Sequence, residues 1–239
     1  MQNRSRCGFG EAASRQKEGK DEMIISASRR TDIPACYGQW MMARLRAGEV
    51  LVPNPYNASR ISRVALSPGN VDCIVFWTKN AAPMLPLLDE LDALGYKYYF
   101  EYTVTGYGSA LEPGLPEKAR TVDTFLRLSE RLGPEGVDWR FDPVLLTSSI
   151  TPAWQLERFG ALCRALHGAT RRCVFSFADP YPGIRSSIAP LEETQMRLLA
   201  KGFADIAGEY GLPLYTCAEA VELSEYGIRH AACIDSAKV

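Results

Sequence analysis

The sequence predicts an α/β fold, a mainly parallel TIM-like (β/α) barrel or partial barrel of about seven strand–helix units. Three observations predict it. Short apolar runs alternate with segments whose apolar residues recur at helical spacing. The chain has 239 residues, a size at which such a barrel forms as one domain. Polar residues gather directly after the apolar runs, at the end of each strand where parallel α/β folds bind ligands.

The elements follow in order. Residues 1–22 are polar and without apolar period, and read as a disordered N-terminal extension. The folded pattern begins at Met23, which makes Met23 a candidate true start, with Lys17-Glu18-Gly19 then translated leader sequence. Ile24–Ala27 is the first strand. Pro34 opens a helix, because its missing N–H costs nothing in a first turn. Tyr37, Trp40, Met41 and Leu45 share a helical face that Gly48 closes. Residues 50–52 form the next strand, ended by Asn54-Pro55, and 62–67 add a short one. Residues 73–77 form the third main strand. Met84, Leu87, Leu88 and Leu91 follow at helical spacing up to Gly95. Residues 96–104 form an aromatic strand whose position favours core packing over a base-stacking platform. Its helix carries Thr121, Phe125, Leu128 and Leu132 before Gly133-Pro134. Residues 137–141 form the fifth strand, and Thr151-Pro152 starts a helix with Leu156, Phe159, Cys163 and Leu166 on one face. Cys173–Phe177 is the sixth strand, a helix from Leu191 to Tyr210 follows, and residues 214–217 form the seventh. Residues 23–239 therefore read as a single barrel-like domain.

Composition narrows the function classes. Apolar residues make up 46% and charged residues 23% of the chain, the balance of a globular protein. The net charge of −1 gives no indication of a nucleic-acid partner. No apolar run approaches the roughly 18 residues of a membrane span. Seven dispersed cysteines without a Cys-x-x-Cys, and no signal peptide, point to a reducing, cytoplasmic location. There is no G-x-G-x-x-G after the first strand, no G-x-x-x-x-G-K-[ST], and no His/Cys/Asp spacing that makes a metal site.

The candidate site residues lie at the strand ends. Ser28-Arg29-Arg30-Thr31-Asp32 is the densest polar cluster. Arg29 and Arg30 could grip a carboxylate or phosphate, while Asp32 could act on a proton or cap the helix at Pro34. Asn54 ends the second strand. Thr78, Lys79 and Asn80 end the third, where Lys79 could be a cation or general base and Asn80 a helix cap. Asp179 follows the sixth strand, and Cys217 and Glu219 the seventh. Arg140 and Asp142, two apart on a strand, share a face opposite Trp139 and Phe141. That pair either closes a salt-bridge network or contacts ligand, because buried charge without a partner is costly. Asp32, Lys79 and Asp142 are thus the candidate catalytic residues. Arg29, Arg30, Asn54, Thr78, Asn80, Arg140 and Glu219 are the candidate ligand-binding ones.

The segments Ile25-Ser26-Ala27-Ser28-Arg29-Arg30-Thr31-Asp32-Ile33-Pro34, Asn54-Pro55, Ser62-Arg63-Val64, Phe76-Trp77-Thr78-Lys79-Asn80, Trp139-Arg140-Phe141-Asp142-Pro143, Thr216-Cys217-Ala218-Glu219, Leu223-Ser224-Glu225-Tyr226-Gly227-Ile228 and Cys233-Ile234-Asp235, in this order, resemble an uncharacterised bacterial family, domain of unknown function 1848. The resemblance spans essentially Met23 to Asp235. Fuller members are similar to radical S-adenosylmethionine enzymes in carrying a C-terminal Cys-x-x-x-Cys-x-x-Cys, which implies a 4Fe-4S cluster and S-adenosylmethionine for them. None of the seven cysteines here reproduces that triplet. The expectation is a truncated, fragmentary or variant member that holds neither cofactor. Its function is expected to be that of an incomplete radical-S-adenosylmethionine-like enzyme acting on an anionic small molecule or nucleotide-like substrate. A cluster-free barrel binding a phosphorylated ligand and a non-catalytic interaction domain are the alternatives.

Overall fold

The structure, a computed structural model, describes residues 16–17, 20–21, 23–28, 31–178, 190–235 and 238–239. Arg29, Arg30, Asp179 and nearly all of the 1–22 extension lie outside the described residues. Gln16–Lys17 (β1) and Lys20–Asp21 (β2) pair antiparallel. The rest of the chain follows the alternation read from the sequence. Seven strands form one sheet, in the order β11-β10-β9-β8-β7-β6-β3. Its strands are Ile24–Ala27 (β3), Cys73–Thr78 (β6), Tyr98–Thr103 (β7), Val137–Val144 (β8), Cys173–Phe177 (β9), Leu214–Thr216 (β10) and Arg229–His230 (β11). The α/β expectation with a parallel sheet therefore holds. The ladders among the described residues include none between β3 and β11, so the finding is the sheet and not a closed barrel.

The chain divides into two compact units, residues 1–99 with 236–239, and residues 100–235. In the first, β3 runs parallel to β6 in the register Ile24↔Cys73 to Ala27↔Phe76. β6 is a run of apolar residues buried on both faces, as a central parallel strand requires. Ile33–Cys36 (α1) and Gly38–Ala47 (α2) follow β3. Gly48, at φ 71°, supplies the left-handed C-cap that stops α2. One correction concerns the second strand. Glu49–Asn54 (β4) does not join the parallel sheet. It pairs antiparallel with Asn57–Ala65 (β5) as a separate two-stranded hairpin. Leu51, Val52 and Ile61 are exposed on it, so no alternation of burial marks its inner face. Leu88–Ala93 (α3) follows β6 after a short 3-10 turn at Leu85–Leu87.

In the second unit, β8 lies between its parallel neighbours β7 and β9, and β10 lies between β9 and β11. Lys118–Leu132 (α4), Pro152–Ala165 (α5) and Glu193–Glu209 (α6) are the connecting helices. Thr151 caps α5 through its side chain, accepting from Trp154 N at 3.2 Å, and Pro152 occupies the first turn. The core between β8, β9 and the helices is aromatic. Trp139 stacks on Phe159 at 5.2 Å, and Phe203 meets Phe159 at 4.5 Å, Phe141 at 5.6 Å and Phe175 at 5.5 Å. Gly202 lets α6 approach α5, since a Cβ there would lie 2.5 Å from Leu156 Cδ2. Trp139 and Phe141 therefore take the helix side of β8. Period-two alternation leaves Asp138, Arg140 and Asp142 on the other face.

Candidate functional site

Polar residues collect at the carboxyl ends of strands in each unit, and each unit builds a different kind of cluster. In the first, Asp32 is the centre. Its Oδ1 accepts from Ala35 N at 2.9 Å, capping α1, and from the Thr78 hydroxyl at 2.8 Å. Its Oδ2 accepts from Thr78 Oγ1 at 2.9 Å and from the Lys79 backbone N–H at 2.8 Å. Asn80 N in turn donates to Thr78 Oγ1 at 2.9 Å, and Asn80 Oδ1 accepts from Ala82 N at 3.2 Å. Asp32, Thr78, Lys79 and Asn80 are thus brought together. The bonds tie the end of β6 to the start of α1, so Asp32 acts as a cap with a second strand stitched to it. Ser28, at φ 120°, supports the same turn by accepting from Ile33 N at 3.0 Å. Asn54 is placed elsewhere. It sits in the β4–β5 hairpin turn, where its Oδ1 accepts from Tyr56 N at 2.9 Å and Asn57 N at 3.2 Å. It is a turn-forming side chain there and does not end a strand of the parallel sheet.

The second unit holds buried charge. Arg140, 5% exposed, donates to Asp142 Oδ2 at 2.9 Å and to Glu101 Oε2 at 3.4 Å. Glu101, 1% exposed, faces Arg172 at 3.6 Å. Arg172 in turn bonds Asp138 and Asp235, each at 2.6 Å. Two guanidiniums therefore alternate with four carboxylates through the non-aromatic face of β7, β8 and β9. Burial works against the charge on Arg140, but Asp142 and Glu101 outweigh it and raise its pKa above the ordinary arginine value. The same balance, led by Asp138, raises that of Arg172. At the outer end of this network the Ser176 hydroxyl, on β9, donates to Asp142 Oδ1. Glu219, after β10, accepts from Phe177 N at 2.6 Å and fixes the segment that follows Cys217.

Cys217 lies at this outer end. Its Sγ is 3.3 Å from that of Cys233, and the Arg140 guanidinium hydrogen-bonds it. The Cys233 thiol hydrogen bond, opposed by burial and aided by the Arg140 charge, lowers the Cys217 pKa to about 6. A thiol in that range is mostly thiolate at neutral pH. Burial does the reverse elsewhere, pushing Cys73 up to about 11 and Cys163 up to about 12, and raising Cys173 as well. Glu101, Ser176 and Cys233 were not among the sequence-derived strand-end residues, and Cys217 was named there without a catalytic or binding role. Glu101 carried a readable signal, a lone carboxylate in the aromatic run Tyr98-Tyr99-Phe100-Glu101-Tyr102, which demands a buried cation. The pairing of Cys217 with Cys233 carried no local signal, because 16 positions separate them in sequence.

The donor set also answers whether a four-iron cluster fits. Such a cluster takes three or more thiolates. Cys217 and Cys233 supply two, and among the described residues no group of three or more His, Cys, Asp or Glu is placed to hold a metal ion. The described residues do not fit the cluster. Two surface clefts, of about 270 and 400 Å³, lie along α5 and α6, and neither is lined by the strand-end residues. Among the described residues no helix is long and apolar enough to cross a membrane.

No curated protein and no solved structure matches the chain. The sequence does match one family, described as Domain of unknown function (DUF1848), over residues 24–239. The match takes in β3 through β11 and both strand-end clusters, and the chain belongs to that family.

Proposed function

We propose that the chain is an enzyme that acts on a polar small molecule at the carboxyl ends of β8, β9 and β10. In this reading Cys217 is the reactive thiolate, and Arg140 and Asp142 set its charge and position. One observation carries the reading. A thiol held near pH 6 stands at a strand end beside a buried guanidinium, while burial raises the pKa of three other cysteines. Thiolates prepared this way serve as nucleophiles or redox groups. In this reading Asp142, bonded to both Arg140 and Ser176, holds the guanidinium and exchanges a proton with a bound substrate.

Arg140 is bonded to Glu101 and Asp142, which favours a positioning role over direct capture of an anionic ligand. The radical S-adenosylmethionine-like chemistry implied by the family resemblance needs thiolates beyond this pair. A test is differential scanning fluorimetry against sugar phosphates, nucleotides, carboxylic acids and S-adenosylmethionine, followed by iodoacetamide labelling. A true ligand raises Tm, slows alkylation of Cys217, and loses at least tenfold in affinity with Asp142→Asn. Ligands that bind without shielding Cys217, and equally well to Asp142→Asn, would refute the assignment.

A further inference from the structure

We propose that Cys217 and Cys233 form a thiol–disulfide exchange site, with Cys217 as the attacking sulfur and Cys233 as the resolving one, and with a low-molecular-weight disulfide as the oxidising substrate. The inference rests on the reading that Cys217 is the reactive thiolate. What it adds is the second sulfur and the reaction class.

The fold brings the two sulfurs together. β10 and β11 are neighbouring parallel strands in the register Tyr215↔Arg229 and Thr216↔His230, and Ala231 N extends the ladder by donating to Thr216 O at 2.8 Å. Cys217 follows β10 directly, and Cys233 follows β11 by three residues. The Thr216 hydroxyl and His230 Nδ1, 3.0 Å apart, tie the same two strand ends. The two sulfurs stand 3.3 Å apart, against about 2.05 Å in a disulfide bond. Ala218, at φ 59°, turns the chain left-handed immediately after Cys217. A non-glycine residue in that region is strained and is found at sites the surrounding structure holds in place. Here Glu219 supplies the hold through Phe177 N.

The chemistry closes without a further reagent. The Cys217 thiolate attacks one sulfur of R–S–S–R, forming Cys217–S–S–R and releasing R–S⁻. That thiolate takes the proton of Cys233. The Cys233 sulfur then attacks Cys217 Sγ, forming the Cys217–Cys233 bond and releasing a second R–S⁻. The protein dithiol is oxidised to a disulfide and R–S–S–R is reduced to R–SH and R–S⁻. Arg140 stabilises the attacking thiolate in the first step, and it stabilises Cys217 as leaving group when the reaction runs in reverse.

The test uses the whole chain, equilibrated anaerobically in glutathione buffers from fully reduced to fully oxidised, then acid-quenched, alkylated and mapped by mass spectrometry. The expected result is a single two-electron transition that links Cys217 to Cys233. Cys233→Ser should accumulate a glutathione mixed disulfide on Cys217, and Cys217→Ser should form its counterpart on Cys233 at least tenfold more slowly. Circular dichroism confirms that both variants fold. A wild type that remains a dithiol in oxidised glutathione, or a Cys233→Ser variant that forms no adduct on Cys217, overturns the proposal. Rapid alkylation of Cys217 at pH 7 alongside such a failure leaves the reactive-thiolate reading standing and removes exchange alone. Slow alkylation removes both.

Discussion

Replacing Arg140 with methionine tests the electrostatic centre of the second unit. Methionine keeps most of the apolar stem and removes the charge. Removing one partner of a buried ion pair costs about 3–5 kcal/mol, because the other is left buried without compensation. Two features place Arg140→Met at the lower end. Glu101 retains Arg172 at 3.6 Å, and the Asp142 side chain is 26% exposed and retains the Ser176 hydroxyl. The expected loss is therefore about 3 kcal/mol, a fall in Tm of roughly 6–12 °C for a chain of this length. Urea denaturation followed by tryptophan fluorescence measures it. Adding Glu101→Gln neutralises the carboxylate left most deeply buried and should restore about half of the loss. The same substitution acts on Cys217. Its alkylation midpoint should move up from about 6 yet stay below that of an ordinary thiol, because the Cys233 hydrogen bond remains. A loss below about 1 kcal/mol with an unmoved midpoint would refute the argument, since it would mean that Arg140 compensates neither carboxylate nor thiolate.

Cys233→Ala removes the largest single contribution and should likewise raise the Cys217 alkylation midpoint, as read from the pH dependence of iodoacetamide labelling. The lowered folded-state pKa of Cys217 contributes stability that is present above its unfolded value and lost as pH falls through about 6. The stability gap between wild type and Cys217→Ser, measured in urea, should therefore be wider at pH 8 than at pH 5.5. In the first unit, Asp32→Ala removes the α1 cap and the acceptor of Thr78 and Lys79 N–H, at a cost of about 2–3 kcal/mol in thermal or urea unfolding. Phe203→Ala empties the contact shared by Phe141, Phe159 and Phe175 and should cost about 3–5 kcal/mol by the same assays.

What could be read from the sequence was local. Thr151-Pro152 announced a capped helix start and Gly48 a helix stop, because cap chemistry acts within a turn. The runs at β6, β8 and β9 announced buried strands, because a parallel sheet covered on both faces leaves few polar gaps. The β4–β5 hairpin was misread for the converse reason. With Leu51, Val52 and Ile61 exposed, it has no buried face to impose a period, and Asn54 ends a strand of this hairpin rather than one of the parallel sheet. Cys217 and Cys233 stayed separate because the strand that joins them, β11, is two exposed residues, Arg229 and His230, without an apolar run.

The buried charges lie between these extremes. In a sheet whose strands follow chain order from β6 to β11, sequence supplies each strand's neighbours and leaves only the register open. On β8 the register is fixed twice over. Trp139 and Phe141 must meet the helix aromatics, and Arg140 must meet Glu101 on the opposite face. The observed alignment, Glu101↔Asp138 and Thr103↔Arg140, satisfies both. A slip of one residue would turn Arg140 toward Phe159 and leave Glu101 without it, since side chains alternate strictly along a strand. The lone glutamate in an aromatic strand and the Arg-x-Asp in the next strand are thus one constraint written in two places. That constraint also holds Arg140 within hydrogen-bonding reach of Cys217.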